Sequence, residues 1–300
     1  MFRILSFCLV FAVGFFVTSH AFSANDRILS ILANTKLERG RGEIGHRKSY
    51  GFKRVQDITR RGSRSQRFEI RHGDCNGSKQ WNDCEQDRAR IERKEAPRNR
   101  LIGKAKKTWL GFSIYVPEDH QNLYGKSRTS VIQTKIQGVH MPSWQLFLDG
   151  SIRVVFHDNE WCRIGLLPNW KGKWTDITIF ADYTSKKQDV FFELYVNGDR
   201  VCTRQTPIIH PHLVNSRFET YLKYGIYQNF VSRHLKIAGE IPQNLPEKET
   251  TAKTVKWPFR YDWGVKLPTQ IVYFDEMLAG QTRSEVDVRM REASGLSPVD

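Results

Sequence analysis

Asn197-Gly198, set between the strand-like run Asp189–Val196 and the run Arg200–Arg204, constrains the fold of this chain more than any other feature. Both residues tolerate positive φ, so the pair closes a tight hairpin between antiparallel strands. Asp149-Gly150 repeats the signal between Leu148 and Ile152. Further strands are predicted at Arg67–Arg71, Arg88–Glu92, Lys107–Val116, Ser130–Gln137, Trp144–Leu148, Ile152–His157, Trp174–Ala181, Arg217–Gln228 and Gln270–Met277. Short strands separated by turn signals, without alternating β-α units, predict an all-β sandwich or jelly roll. A short helix is expected within 25–37, where Ile28, Leu29, Ile31 and Leu32 recur at helical spacing. Glu240 to Gln270 carries four prolines and little periodicity, which predicts a long loop.

Residues 1–21 read as a secretory signal, with Arg3 ahead of an apolar run and small residues at Ser19 and Ala21. A helical and linker segment then spans 22–48, and a single β domain spans 49–300. No later stretch is apolar enough to span a bilayer, so a soluble protein, secreted or periplasmic, is expected. Past the signal four cysteines remain, and four allow three pairings. Cys75 and Cys84 flank a Gly/Asn/Asp loop and favour a local bridge, which leaves Cys162 with Cys202 to tie neighbouring strands. No Cys-x-x-Cys spacing supports a zinc site. Disulfides are the expected use of cysteine outside the cytosol.

The chain holds 47 Lys and Arg against 32 Asp and Glu, a net +15. The surplus is uneven: Lys36 to Arg71 holds twelve basic against four acidic residues, and Glu85 to Lys107 nine against four. A basic surface concentrates anionic partners. With an export signal and no zinc-finger or ribonucleoprotein signature, acidic polysaccharide is a better partner than nucleic acid.

Alternation converts these charges into candidate chemistry. Side chains on a strand point to alternate faces. In Tyr221-Leu222-Lys223-Tyr224-Gly225-Ile226-Tyr227-Gln228 this places Tyr221, Lys223 and Tyr227 together, opposite Leu222 and Ile226. Two phenols flanking a cation could move protons on a bound polyanion. An adjacent cation lowers a phenol's pKa by favouring phenolate, so Lys223 is expected to pull both tyrosines down. Arg67, Glu69 and Arg71 share a face in one strand; Arg88, Arg90 and Glu92 do so in the next; Gln133, Lys135 and Gln137 do so in a third. If these strands neighbour each other in one sheet, they build a basic floor able to grip carboxylates.

These segments resemble, in order, those of the polysaccharide lyase family that includes heparin lyase I and the glucuronan lyases. The likeness is carried by Arg67-Phe68-Glu69-Ile70-Arg71-His72-Gly73-Asp74-Cys75, Asp87-Arg88-Ala89-Arg90-Ile91-Glu92, Trp109-Leu110-Gly111-Phe112-Ser113-Ile114-Tyr115-Val116-Pro117-Glu118-Asp119 and Val131-Ile132-Gln133. Gly172-Lys173-Trp174, Val196-Asn197-Gly198, Tyr221–Gln228 and Val272-Tyr273-Phe274-Asp275 complete it, from about Ser49 to Asp287.

The resemblance implies a concanavalin A-like β-jelly roll whose concave sheet cleaves uronate-containing chains by β-elimination. It implies Tyr227 as principal proton carrier and Lys223 and Gln133 as carboxylate and sugar contacts. Arg67, Arg88, Arg90, Glu92 and Tyr221 follow as further substrate-binding groups. Relatives carry a histidine two positions after the glutamine; here that position is Lys135, and either Lys135 or His140 is expected to compensate. No cofactor is required, a structural calcium at Asp275 and neighbouring carbonyls is left open, and a monomer is expected. Two other classes share the architecture. A non-catalytic glycan-binding sandwich would need the basic floor but not Tyr227. A sandwich glycoside hydrolase would need two opposed carboxylates, and no strand here alternates them as Glu-x-Asp-x-x-Glu.

Overall fold

The alternating segments pair into two antiparallel sheets stacked face to face. The computed structural model describes residues 29–38, 48–78, 81–96, 107–136, 142–184, 189–209, 219–245 and 258–299. The expected signal segment and His140 lie outside the described residues. In chain order the early strands are β1 (Leu29–Ser30), β2 (Thr35–Leu37), β3 (Phe52–Val55), β4 (Ser65–Ile70), β5 (Gly77–Ser78) and β6 (Trp81–Asn82). The central ones are β7 (Arg88–Glu95), β8 (Lys107–Tyr115), β9 (Arg128–Ile136), β10 (Pro142–Leu148), β11 (Ser151–Phe156) and β12 (Trp161–Leu166). The last are β13 (Trp174–Asp182), β14 (Phe192–Val196), β15 (Asp199–Arg204), β16 (Thr220–Asn229) and β17 (Gln270–Gly280).

One sheet runs β15-β14-β13-β8-β17-β4-β3, with β1 added to β17; the other runs β12-β11-β10-β9-β16-β7-β2. Of the helix expected within 25–37, the described residues 29–37 hold one turn, α1 (Ile31–Asn34), capped by Ser30 and enclosed by β1 and β2. Tertiary strand pairing on both sides overrides the local helical spacing. The strand β12 and the helix α2 (Val231–Ala238) escaped the sequence reading. Trp161–Leu166 has two exposed ends and a glycine, so its alternation is faint. Residues 240–245 and 258–269 carry no strand, in keeping with the predicted loop.

Between the sheets, Phe68, Tyr224 and Phe274 meet edge to face, with centroids 5.4–5.7 Å apart. Tyr224 is fully buried and donates its hydroxyl proton to Gln66 Oε1 at 2.7 Å, so its polar tip costs little. Gly225 is required next to it. Its φ is +134°, and a Cβ there would stand 2.3 Å from the Ile91 carbonyl oxygen. Against β9 the register slips between Tyr224 and Tyr227. Val131 and Ile132 consequently both enter the core, while Ser130 and Gln133 keep to the other face.

Sheet order corrects one expectation directly. Arg67 lies on β4, in the sheet opposite β7, β9 and β16. There Arg67 and Arg71 both clamp Glu69, at 2.5 Å each. The floor therefore lacks Arg67, which serves the outer face of the other sheet.

Candidate active site

The strands β9, β16 and β7 are consecutive in their sheet, which brings three sequence-distant motifs side by side. Lys223 is registered against Gln133, Tyr221 against Lys135, and Tyr227 against Arg90. Their outward side chains form an open cleft of about 300 Å³. Arg88, Arg90, Arg128 and Lys135 line it together with Gln133, Gln145 and Tyr227, and among the described residues no carboxylate joins the lining.

The carboxylates lie underneath. Lys223 is buried, with Nζ 2.5 Å from Glu38 Oε2 and 2.7 Å from Glu92 Oε2. Arg90 reaches Asp83 Oδ1 at 2.7 Å and Glu92 Oε2 at 3.5 Å, and its guanidinium carbon stands 4.7 Å from the centre of the Tyr227 ring. Gln133 donates through Nε2 to Glu92 Oε1 at 2.6 Å and accepts from Gln145 at 3.2 Å, which fixes the orientation of its amide. Burial and Arg90 both work against a charged Lys223, yet Glu92 and Glu38 outweigh them and its pKa is raised. Burial works against an ionised Glu38, but Lys223 and Arg90 overcome it and hold its carboxyl down at about 2. This is a paired ionic layer supporting the cleft from below.

Two groups facing the cleft are displaced in opposite senses. Burial raises the Tyr227 phenol, and the opposing pull of Arg88 and Arg90 does not cancel it. Burial lowers Lys135 to about 8, helped by repulsion from Lys223 and Arg90. The expectation that Lys223 pulls Tyr227 down is thus corrected. Lys223 is spent on two carboxylates, and desolvation of the phenol wins.

The sequence matches the family model described as polysaccharide lyase over residues 33–278. The chain belongs to the polysaccharide lyase family. An alginate lyase of Polysaccharide Lyase family 7 has the same fold at TM-score 0.50 and 13% identity, covering 84% of this chain and 95% of that one. An alginate lyase from Pseudomonas aeruginosa matches equally, at TM-score 0.50 and 13% identity over 83% and 99% of the two chains. An endo-β-1,4-glucuronan lyase from the fungus Trichoderma reesei aligns at TM-score 0.49 and 13% identity over 84% and 97%. No curated protein sequence matches the chain.

Within this lyase, the structure gathers Tyr227, Gln133, Lys135, Arg88 and Arg90 at one cleft, as their strand alternation suggested. Glu92 and Lys223 are beneath it rather than in it. Tyr221 stands outside the lining, its ring capped by Lys94 Nζ at 4.6 Å. Glu38 and Asp83 went unrecognised in the sequence. Glu38 sits in the arginine-glycine connection with no periodic neighbour to flag it. Asp83 adjoins Cys84, whose bridge to Cys75 holds that loop in place. Arg128 also escaped, because β9 begins two residues before the predicted Ser130.

Both expected disulfides form, Cys75–Cys84 and Cys162–Cys202. The second ties β12 to β15, the edges of opposite sheets, rather than neighbours within one. Asp275 accepts backbone N–H groups from Arg60 at 2.7 Å, Arg61 at 3.3 Å and Glu276 at 2.8 Å. Among the described residues no three His, Cys, Asp or Glu side chains converge as a metal site.

Proposed function

We propose that this lyase cleaves a uronate-containing polysaccharide by β-elimination in the cleft, outside the cytosol. The observation that carries the reading is a lining with four cations, four amides and a phenol but, among the described residues, no carboxylate. Such a surface attracts a polyanion and lacks the paired acids on which most glycoside hydrolysis depends. Two disulfides suit an oxidising compartment. Among the described residues no helix is long and apolar enough to cross a membrane.

Elimination breaks the C5–H bond and the C4–O bond and leaves a C4=C5 double bond. Arg88 and Arg128 neutralise the uronate carboxylate, with Gln133 held ready to bond it or an adjacent hydroxyl. This acidifies C5–H. Lys135, at about 8, keeps a neutral fraction near pH 7 and takes that proton as general base. Tyr227, raised by burial, remains protonated and donates its proton to the departing glycosidic oxygen. Environments that push two groups apart in pKa divide acid from base in this way. The arginines must hold the carboxylate away from Lys135, since a nearby anion would recharge its amine.

Polyglucuronate, alginate and glycosaminoglycans should be assayed for unsaturated ends, which absorb at about 235 nm if elimination is the chemistry. New absorbance on an acidic polymer supports the reading. Reducing ends released without absorbance would identify hydrolysis and overturn it.

A further inference from the structure

The sheet that bears the cleft continues past it onto β11 and β12. Trp161 on β12 is registered against Val155, itself part of the cleft lining. It is 56% exposed, although Cys162 and Ile164 on the other face of the same strand pack into the core. Arg163 stands opposite Arg153, which in turn faces Phe147 on β10. The guanidinium carbons of Arg128 and Arg153 lie 5.5 and 5.9 Å from the centre of the Phe147 ring, and that of Arg163 lies 5.9 Å from Trp161. Among the described residues one carboxylate is ion-paired within this cluster: Asp149, 3.1 Å from Arg153, with its other oxygen taken by the Thr129 N–H at 3.0 Å. Three cations thus share a single counter-charge beside an uncovered indole. The Cys162–Cys202 bridge pins this edge strand to the opposite sheet, so the cluster stands on a fixed support.

We propose that Trp161, Arg163 and Arg153 form a distal subsite for an acidic sugar unit of the chain being cut. The indole face stacks on the ring's C–H groups, and the arginines take its carboxylate. Four strand spacings separate β12 from β16, roughly 19 Å between this subsite and Tyr227. A substrate must be several units long to reach both, so the enzyme should favour long chains over short oligomers. This inference rests on the lyase reading for its substrate, and its primary test is independent of turnover.

The test is affinity electrophoresis of the full chain in native gels containing polyglucuronate or alginate, comparing wild type, W161A/R163A and the conservative W161F/R163K. Wild type should be retarded, W161A/R163A on the order of tenfold more weakly, the loss matching about 1.4 kcal/mol, and W161F/R163K between the two, because it keeps a charge and a ring without the fork or the indole. Equal retardation of W161A/R163A and wild type, or no retardation of wild type by either polymer, overturns the subsite. In the absorbance assay, W161A/R163A should lose about tenfold more kcat/KM on the polymer than on short oligomers. Retardation that depends on Trp161 and Arg163 without any absorbance would keep the subsite and sink the lyase chemistry.

Discussion

Lys223 Nζ and Glu92 Oε2 lie 2.7 Å apart beneath the cleft floor, both side chains shielded from solvent. Their position means that the most prominent cation of the tyrosine strand acts on the site from behind. It holds Glu92, which orients Gln133. Removing one partner of a buried pair leaves the other charge uncompensated. Lys223→Ala should therefore lower stability by about 3–5 kcal/mol, read from the urea midpoint. A midpoint equal to wild type would dissociate this pair from the fold's stability.

Lys135 and Tyr227 set the pH dependence. With Lys135 at about 8, kcat/KM should climb as pH rises toward 8, because the base works only when neutral. It should fall again where the phenol ionises, above its ordinary value of about 10. Lys135→Arg, charged throughout, should abolish turnover. Lys135→His should shift the lower limb down toward about 6.5. A profile unmoved by Lys135→His would assign the base elsewhere.

Tyr227→Phe keeps the ring beneath Arg90 but removes the acid. Turnover should fall by about 10²–10⁴-fold, while retention on an immobilised acidic polymer persists. Turnover at the wild-type level would exclude Tyr227 as proton donor.

Glu38 gives the fold an acid-sensitive joint. Its pKa is lowered from 4.5 to about 2 in the folded protein. Its contribution is present above the unfolded value and is lost as pH falls from about 4.5 through about 2. Glu38→Gln should therefore cost stability at pH 6 and cost much less at pH 2.5, as compared by urea titration. An equal cost at both would assign its role to packing alone.

The two disulfides should separate stability from activity. Cys162–Cys202 closes a separation of 40 residues and Cys75–Cys84 one of 9. Loop-entropy estimates give about 4 and about 2.5 kcal/mol respectively. Paired replacement by alanine should thus lower the melting temperature more for Cys162–Cys202. Loss of Cys75–Cys84 should weaken turnover more, because Asp83 beside Cys84 anchors Arg90. The reverse ranking would uncouple that loop from the site.

Much of the cleft was readable from period-two alternation. Arg88, Arg90, Gln133, Lys135 and Tyr227 each sit on the polar side of a strand whose other side is apolar. Arg67-x-Glu69-x-Arg71 carries the same local pattern, yet it belongs to the opposite sheet. Nothing within six residues distinguishes the two cases. Lys223 shows a second limit, since alternation gave its face but not its burial. That depended on Glu38, 185 positions earlier in the chain, and on Glu92, registered one strand away.

The order of residues was enough to dictate that this chain makes strands, where the tight hairpins close, and which side chains share a surface, because backbone geometry is set by near neighbours. Folding alone chose which strands became adjacent, which cations faced substrate and which were neutralised below it. Those outcomes depend on long-range pairing and on desolvation, and both are properties of the assembled sandwich rather than of any segment.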